Sequence, residues 1–304
     1  MANISTLLPE RLEIGDTIGV VAPSKPIDVN DPQVVAGIAF LEKMGFKILM
    51  GKHVSSSDPE EKAEDINSMF SDKDVKMVMF AKGGDTAELL FPFMDWGSIG
   101  KNPKIMCGYS DAVVLLNSFN RKLGLVTFHG NDLNSFGRQQ TDYDRDEFIN
   151  AYMHGKKGYI RQNGERRTVR NGKSSGRLLG GNLRCLLKLR GTEFWPDFRD
   201  SILFLESYKS RDTMMELFMQ LKEQEVFDKI NGVIVGFNYG MQVLDPKSRQ
   251  MEDIILEMTK GYDFPILKVN DFGHMCSQTV LPLGIRVELD ADVRRMAILE
   301  DFVR

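Results

Sequence analysis

Residues 104–122 read KIMCGYSDAVVLLNSFNRK and join a short apolar run to an amphipathic one. The run at 104–107 predicts a buried strand, and apolar residues at helical spacing over 111–121 predict a helix. Only Gly108-Tyr109-Ser110 separates the two, so the chain must reverse within three residues. Such a turn exposes a side chain on a sharp corner and directs the first amides of the helix towards it, which is the geometry of a nucleophile elbow.

The usual elbow pattern is Gly-x-Ser-x-Gly, and here it is Gly108-x-Ser110-x-Ala112. Alanine is small enough to let the helix and the strand approach each other. An ordinary turn, in which Ser110 and Asp111 cap the helix, explains the same residues. The motif alone favours that simpler interpretation, because short motifs recur by chance.

Strands and helices alternate on both sides of this turn. Apolar runs at 16–22 and 75–80 predict buried strands, and helical spacing at 31–45 predicts a helix between them. This alternation predicts a doubly wound α/β layer with a parallel sheet. We expect it to form a first domain over residues 1–160.

The composition of the chain changes over 161–175, where charged residues and glycine become more frequent and the apolar periodicity is lost. Such a segment is typical of exposed strands, turns or a linker. We place the domain boundary there, as a linker, and expect a second domain over 176–304. Apolar runs at 201–206 and 266–269 alternate with helical patterns, and the tail alternates like an antiparallel pair. The second domain is therefore expected to be mixed α/β and rich in strands.

Composition excludes several classes of protein. The chain has 39 Lys and Arg against 43 Asp and Glu, a net charge of −4, which argues against a nucleic-acid partner. No apolar run approaches the roughly 18 residues of a membrane span, and no signal-peptide pattern is visible. The three scattered cysteines, Cys107, Cys185 and Cys276, favour reduced thiols over disulfides or a metal site. We expect a cytoplasmic protein.

A glycine pair follows the strand predicted at 75–80. Ligands of parallel sheets bind beyond the carboxyl ends of the strands, and glycine lets backbone amides approach a ligand closely. We therefore consider the N–H groups of Gly84 and Asp111 as candidate oxyanion donors. A glycine-rich turn without a ligand explains Gly83 and Gly84 equally well.

A serine nucleophile needs a base, which a third group usually orients. Of the four histidines, His53 and His154 lie in polar surroundings, and packing is the expected role of His129, which ends a strand. His274 follows a buried strand within an irregular loop, where functional residues are common, so we choose it as the base. Glu206 ends the apolar run SILFLE and would need a partner there, which makes it the candidate acid. The alternative is a strand-end glutamate that reaches water or caps a neighbouring segment.

The motifs GYSD, the upstream GG, GGNL, ILFLE and GH before LPLG together resemble the LD-carboxypeptidase family of serine peptidases over nearly the whole chain. The resemblance implies a Rossmann-like (flavodoxin-like) first domain, a β-rich mixed second domain and a homodimer. It also implies a nucleophile at Ser110, a base at His274 and an acid at Glu206, with oxyanion donors on the backbone of Gly84 and Asp111. No metal or organic cofactor is required.

Two activities occur in that family. One removes the terminal D-Ala of a murein tetrapeptide, and the other, that of the microcin C immunity peptidases, cleaves an aminoacyl group from a nucleotide-like part. We expect the first, on a small peptide, with a peptide-nucleotide substrate as the alternative. An alternative of another class is a non-catalytic small-molecule binding protein. Asp85 and Asn131 depart from the residues usual in the family, and with His129 they are candidates for substrate contact.

Overall fold

The computed structural model describes residues 5–304, which form two compact units. The first unit comprises the chain up to Lys156 together with Val280–Pro282 and Asp301–Arg304. The second unit comprises Lys157–Thr279 and Leu283–Glu300.

The helices and strands are numbered in chain order. As far as residue 156 they are β1 (Thr17–Val21), α1 (Pro32–Lys43), β2 (Lys47–Met50), α2 (Pro59–Ser71), β3 (Val75–Phe80), a 3₁₀ helix (Ala87–Phe93), α3 (Trp96–Lys101), β4 (Ile105–Gly108), α4 (Ala112–Leu123), β5 (Thr127–His129), α5 (Leu133–Arg138), α6 (Asp142–Phe148) and a π-helix (Ile149–Met153). Beyond residue 156 they are β6 (Gly158–Tyr159), β7 (Arg166–Arg170), β8 (Lys173–Asn182), α7 (Leu183–Leu186), a 3₁₀ helix (Leu187–Leu189), β9 (Ser201–Ser207), α8 (Arg211–Glu223), β10 (Ile230–Asn238), α9 (Tyr239–Gln242), α10 (Met251–Met258), β11 (Ile266–Gly273), β12 (Leu281–Leu283), β13 (Arg286–Asp290) and β14 (Arg295–Ile298).

The sheet of the first unit has the strand order β12-β5-β4-β3-β1-β2. Strands β1 to β5 pair in parallel, and their order 2-1-3-4-5 is that of flavodoxin-like folds, which confirms the predicted fold class. Asp31 and Asp58 cap α1 and α2 with their side chains, as aspartates before apolar-periodic segments are expected to do. The strand order reverses between β1 and β3. The loops that follow β1 and β3 therefore lie where ligands of such sheets usually bind.

The second unit contains an eight-stranded sheet of order β6-β14-β13-β8-β9-β10-β11-β7. Its centre, β8 to β11, is parallel, and antiparallel strands pair on both sides of it. The predicted antiparallel pair of the tail is β13 with β14. Every residue of β9 is buried, because helices and neighbouring strands cover this central strand. The mixed, strand-rich second half is therefore confirmed.

The segment 161–175 is not a linker, because it forms β7 and the start of β8 in the second sheet. Several of its arginines have partners within the second unit. Arg166 is buried and pairs with Asp271 at 2.6 Å, and Arg167 pairs with Glu252 on α10 at 2.7 Å. Since the charge on β7 is neutralised from other elements, the local sequence did not distinguish a strand from a linker.

The second half also differs from the expected domain over 176–304 at its end. Strand β12 joins the sheet of the first unit, and Asp301–Arg304 also belongs to that unit. β12 is an apolar strand of only three residues, and such a short sequence does not indicate which sheet the strand will join. Within residues 5–304, no helix has both the length and the hydrophobicity to cross a membrane.

Lys268 on β11 leads to a prediction about stability. Its side chain is 4% exposed, its Nζ donates to the Gly236 carbonyl at 2.6 Å and to Gln242 Oε1 at 2.8 Å, and burial lowers its pKa from 10.5 to about 8. Between these two values the unfolded chain binds the proton that the folded chain has lost. Below about pH 8 the folded chain must bury the charged ammonium, which lowers the free energy of unfolding by the full amount. Across the window from about pH 8 to 10.5, the contribution of Lys268 to the free energy of unfolding should rise with pH.

Urea denaturation of the wild type and of Lys268→Met between pH 7.5 and 9.5 should show this effect. The stability of the wild type relative to the variant should increase with pH by up to about 1.4 kcal/mol per pH unit. Lys247→Met, at an exposed lysine, is the matched control and should give a flat difference. A flat difference for Lys268→Met as well would contradict the expected proton release.

Candidate active site

The turn after β4 has the strained geometry of a nucleophile elbow. β4 ends at Gly108 and α4 begins at Ala112. Between them, the φ angle of Ser110 is 60°, in the left-handed region that residues other than glycine seldom adopt. A Cβ built on Gly108 would lie 2.9 Å from the Cβ of Ala112, which explains why small residues flank the serine. The strain places a half-buried hydroxyl at the start of a helix.

Asp111 does not act as the helix cap that the simpler sequence interpretation expected. Its side chain makes no capping hydrogen bond to α4. Instead, the fully buried carboxylate accepts at Oδ2 from the Ser24 hydroxyl at 2.5 Å and from the Ala87 N–H at 2.9 Å. Ser24 was not among the predicted site residues. Its position in the loop directly after β1, next to the point where the strand order reverses, was the available signal.

The glycine pair after β3 lies against the elbow. A Cβ built on Gly83 would be 2.8 Å from the Cβ and 2.9 Å from the Oγ of Ser110. A Cβ built on Gly84 would be 2.8 Å from the amide nitrogen of Lys25 and 2.9 Å from the Cβ of Ser24. All four distances are shorter than real Cβ contacts, so only glycine fits at either position. The backbone at Gly83 therefore lies against Ser110, and the backbone at Gly84 lies against the loop after β1.

In the second unit, Glu206 and His274 form a hydrogen-bonded pair. Glu206, near the end of β9, is fully buried, and its Oε2 lies 2.7 Å from Nδ1 of His274, directly after β11. Its Oε1 accepts from Asn182 Nδ2 at 2.9 Å, and Asn182 is its register partner on β8. Glu206 thus does not reach water, which contradicts that part of the alternative interpretation. An imidazole that donates from Nδ1 to a carboxylate keeps Nε2 as a proton acceptor.

The loop that carries His274 is fixed from several sides. Gly273 has a φ of 137°, and its N–H donates to the side chain of Gln278, which in turn donates to the Gly273 carbonyl. The ring of Tyr208 lies beside the imidazole, with 4.8 Å between centroids, and the Lys209 ammonium lies 4.3 Å from the centroid of the Tyr208 ring. Gln278, Tyr208 and Lys209 were not among the predicted site residues, because they belong to no recognisable motif.

The three candidate substrate contacts differ in exposure. Asp85 is exposed, whereas His129 is fully buried at the end of β5 with its ring edge-to-face to Tyr109, 6.2 Å between centroids. Asn131 is 8% exposed and donates from Nδ2 to Asp144 at 2.9 Å. The burial of His129 favours packing, the role expected for it when His274 was chosen. Across residues 5–304, no group of three or more metal-ligating side chains is arranged to hold an ion.

Both halves of the chain match models of one protein family. Residues 18–130 match the LD-carboxypeptidase N-terminal domain, and residues 175–289 match the LD-carboxypeptidase C-terminal domain. The chain belongs to the LD-carboxypeptidase family. One relative resembles the chain over nearly its whole length. The microcin C7 self-immunity protein MccF of Escherichia coli is 32% identical over 100% of this chain and 98% of that protein.

Two further similarities bear on activity. A probable murein peptide carboxypeptidase of Bacillus subtilis is 28% identical over 96% of this chain and 94% of that protein. The structure of MccF in complex with aspartyl sulfamoyl adenosine matches with a TM-score of 0.92 at 31% identity, over 98% of this chain and 100% of that one. This LD-carboxypeptidase family member is a serine-type carboxypeptidase, a hydrolase, rather than the non-catalytic binding protein of the alternative hypothesis.

Proposed function

We propose that this enzyme hydrolyses the bond between an aminoacyl group and a nucleotide-like sulfamoyl or phosphoramidate part, with Ser110, His274 and Glu206 as its catalytic triad. The buried Glu206–His274 pair is the observation that carries the proposal. A 2.7 Å bond from Nδ1 to a fully buried carboxylate orients the imidazole and stabilises the imidazolium that forms when it accepts a proton.

The proposed reaction proceeds in two halves. Ser110 Oγ bonds to the acyl carbon while His274 Nε2 takes the hydroxyl proton, and the N–H groups of Gly84 and Asp111 donate to the oxyanion. The carbon–nitrogen bond then breaks, and His274 returns the proton to the leaving nitrogen. Water, activated by His274, hydrolyses the acyl-serine, so that the products are a free carboxylic acid and the amine-bearing nucleotide part. None of these steps requires a metal or an organic cofactor.

Two observations support this substrate class over an L–D peptide, which the sequence analysis preferred. The resemblance to MccF extends over the whole chain at higher identity than the resemblance to the murein peptide relative. In addition, Tyr208 is 44% exposed beside His274, with the Lys209 ammonium above its ring. An aromatic face and a cation would suit a nucleobase and an anionic linker. Hydrolysis of the L–D bond before a terminal D-Ala is the second candidate, which the Bacillus subtilis relative supports.

A panel of hydrolysis assays distinguishes the two substrates. Aspartyl sulfamoyl adenosine and a murein tetrapeptide ending in D-Ala should be compared by mass-spectrometric measurement of sulfamoyl adenosine and of D-Ala, with Ser110→Ala as the blank. We expect kcat/KM for the sulfamoyl compound to be higher by at least about 10²-fold, because a site that binds the nucleotide part loses those contacts with D-Ala. The reverse order would assign the enzyme to murein peptides.

The proposed setting is a cytoplasm, and the proposed assembly is a homodimer. Cys107, Cys185 and Cys276 are free thiols, which fits a reducing compartment. The homodimer rests on the family resemblance.

A further inference from the structure

The hydroxyl and carbonyl of Ser24 link three segments of the first unit. Ser24 is 3% exposed, and its Oγ donates to Asp111 at 2.5 Å and accepts from the Thr86 N–H at 3.1 Å. Its carbonyl accepts from Thr86 Oγ1 at 3.3 Å and from the buried Lys62 ammonium at 2.5 Å. The loop after β1 is thereby bonded to the loop after β3, to the elbow and to α2.

Asp111 completes this connection from the elbow side. The same carboxylate oxygen that accepts from Ser24 also accepts from the N–H of Ala87, the first residue of the 3₁₀ helix. Residues 83–86 are therefore held at their carboxyl end by two backbone N–H groups, those of Thr86 and Ala87. The negative charge of Asp111 would disfavour an oxyanion that forms nearby. Because the charge itself does not help the reaction, the hydrogen bonds of this carboxylate are the reason we consider for its place in the elbow.

The held segment contains the glycines that pack on the nucleophile. Gly83 lies against Ser110, and Gly84 lies against Ser24. A glycine pair has wide conformational freedom, whereas an oxyanion donor must be held within a few tenths of an ångström of its place. The restraint on this pair must therefore come from its neighbours.

We propose that Ser24 and the Asp111 side chain are positioning residues, whose hydrogen bond fixes the backbone of Gly83 and Gly84 so that the Gly84 N–H reaches the oxyanion. This inference rests on the proposed serine mechanism. The two side chains bond to each other and to the backbone at Thr86 and Ala87. Both act through the placement of a backbone donor that contributes in the transition state.

Ser24→Ala should therefore lower kcat by about 10²-fold, the usual effect of one lost oxyanion donor, and leave KM within about threefold. The matched control is Ser118→Ala, which also removes a buried hydroxyl from the first unit. Ser118 donates to the Val114 carbonyl at 2.7 Å, inside α4 and away from the loop after β3, so its removal should leave kcat unchanged.

Binding experiments separate positioning from a general structural effect. A boronic acid analogue of the aminoacyl group, which forms a tetrahedral adduct with Ser110, should bind Ser24→Ala more weakly by the same factor as the loss of kcat/KM. Ground-state affinity for aspartyl sulfamoyl adenosine, measured by calorimetry on Ser110→Ala with and without Ser24→Ala, should not change. Equal weakening of both ligands, or full kcat in Ser24→Ala, would overturn the inference.

Variants of Asp111 keep the test decisive if Ser24→Ala does not fold. Asp111→Asn keeps an oxygen that can accept both bonds at the place of Oδ2, and Asp111→Ala keeps none. Asp111→Asn should retain at least about tenfold more turnover than Asp111→Ala, and equal loss in the two folded variants would overturn the inference.

If Ser110→Ala retains turnover, the serine mechanism fails and the inference with it. If Ser110→Ala is inactive and Ser24→Ala is fully active, only the inference fails.

Discussion

Ser110→Ala should lower turnover by roughly 10⁴- to 10⁶-fold while the chain keeps its fold. The reason is chemical, since alanine has no oxygen to form the acyl intermediate, and hydroxyl removal at a half-buried corner disturbs little packing. Alanine also adopts the φ of 60° at a cost similar to that of serine. The measurement is kcat on aspartyl sulfamoyl adenosine, with circular dichroism and thermal denaturation of the same samples.

Ser110→Gly provides a control for the strained turn. It should be as inactive as Ser110→Ala, yet at least as stable, because glycine adopts a positive φ without the steric cost that a Cβ brings. A loss of activity in both variants, without loss of stability, would assign the effect to the hydroxyl. Near-normal turnover of folded Ser110→Ala would exclude the serine mechanism.

Features set by a few adjacent residues could be predicted from the sequence. The elbow is one, because three residues between a strand and a helix permit few backbone paths. The parallel sheet of the first unit is another, since the alternation of apolar runs and helical patterns fixes its connections. Glu206 was also accessible, because a carboxylate that ends an apolar strand must find a partner.

Features that depend on distant residues could not be predicted. Ser24 and Asp111 are 87 positions apart, and nothing local in either segment indicates that bond. The charged segment 161–175 became a strand because α10 and β11 supply its partners. Asn182 caps α7 by accepting from the Cys185 N–H at 3.3 Å. Its second bond, to Glu206, follows from the register of β8 with β9, which sequence patterns do not specify.

Glu206→Gln should lower turnover by about 10²- to 10⁴-fold with little change in fold, because an amide can present the wrong group to the imidazole. Asn182 decides the orientation of that amide. Its oxygen caps Cys185 N–H and its Nδ2 donates towards Glu206, so the glutamine oxygen should turn to Asn182. The glutamine NH₂ then faces Nδ1 of His274. A ring that accepts at Nδ1 carries its proton on Nε2 and has no lone pair there to take a proton from Ser110.

Glu252→Gln is the matched control for the loss of charge. Glu252 is also a buried glutamate of the second unit, and its ion-pair partner is Arg167 at 2.7 Å. Its replacement removes the same charge by the same change of atoms at a site that does not bond His274. Turnover of Glu252→Gln should therefore stay within about twofold of the wild type, whatever its effect on stability.

The double variant Glu206→Gln with Asn182→Asp tests the orientation of the amide directly. An aspartate at position 182 can still accept from the Cys185 N–H, and it now also accepts from the glutamine NH₂. The glutamine oxygen is then directed to His274, where it accepts from Nδ1–H and restores the tautomer with a free Nε2 lone pair. Turnover of the double variant should exceed that of Glu206→Gln by at least about tenfold, and Asn182→Asp alone should not raise the rate of the wild type.

An unchanged rate in Glu206→Gln would mean that Glu206 is only a buried strand-end carboxylate. A reduced rate without rescue would mean that the charge of Glu206, and not the tautomer of His274, is what the reaction requires.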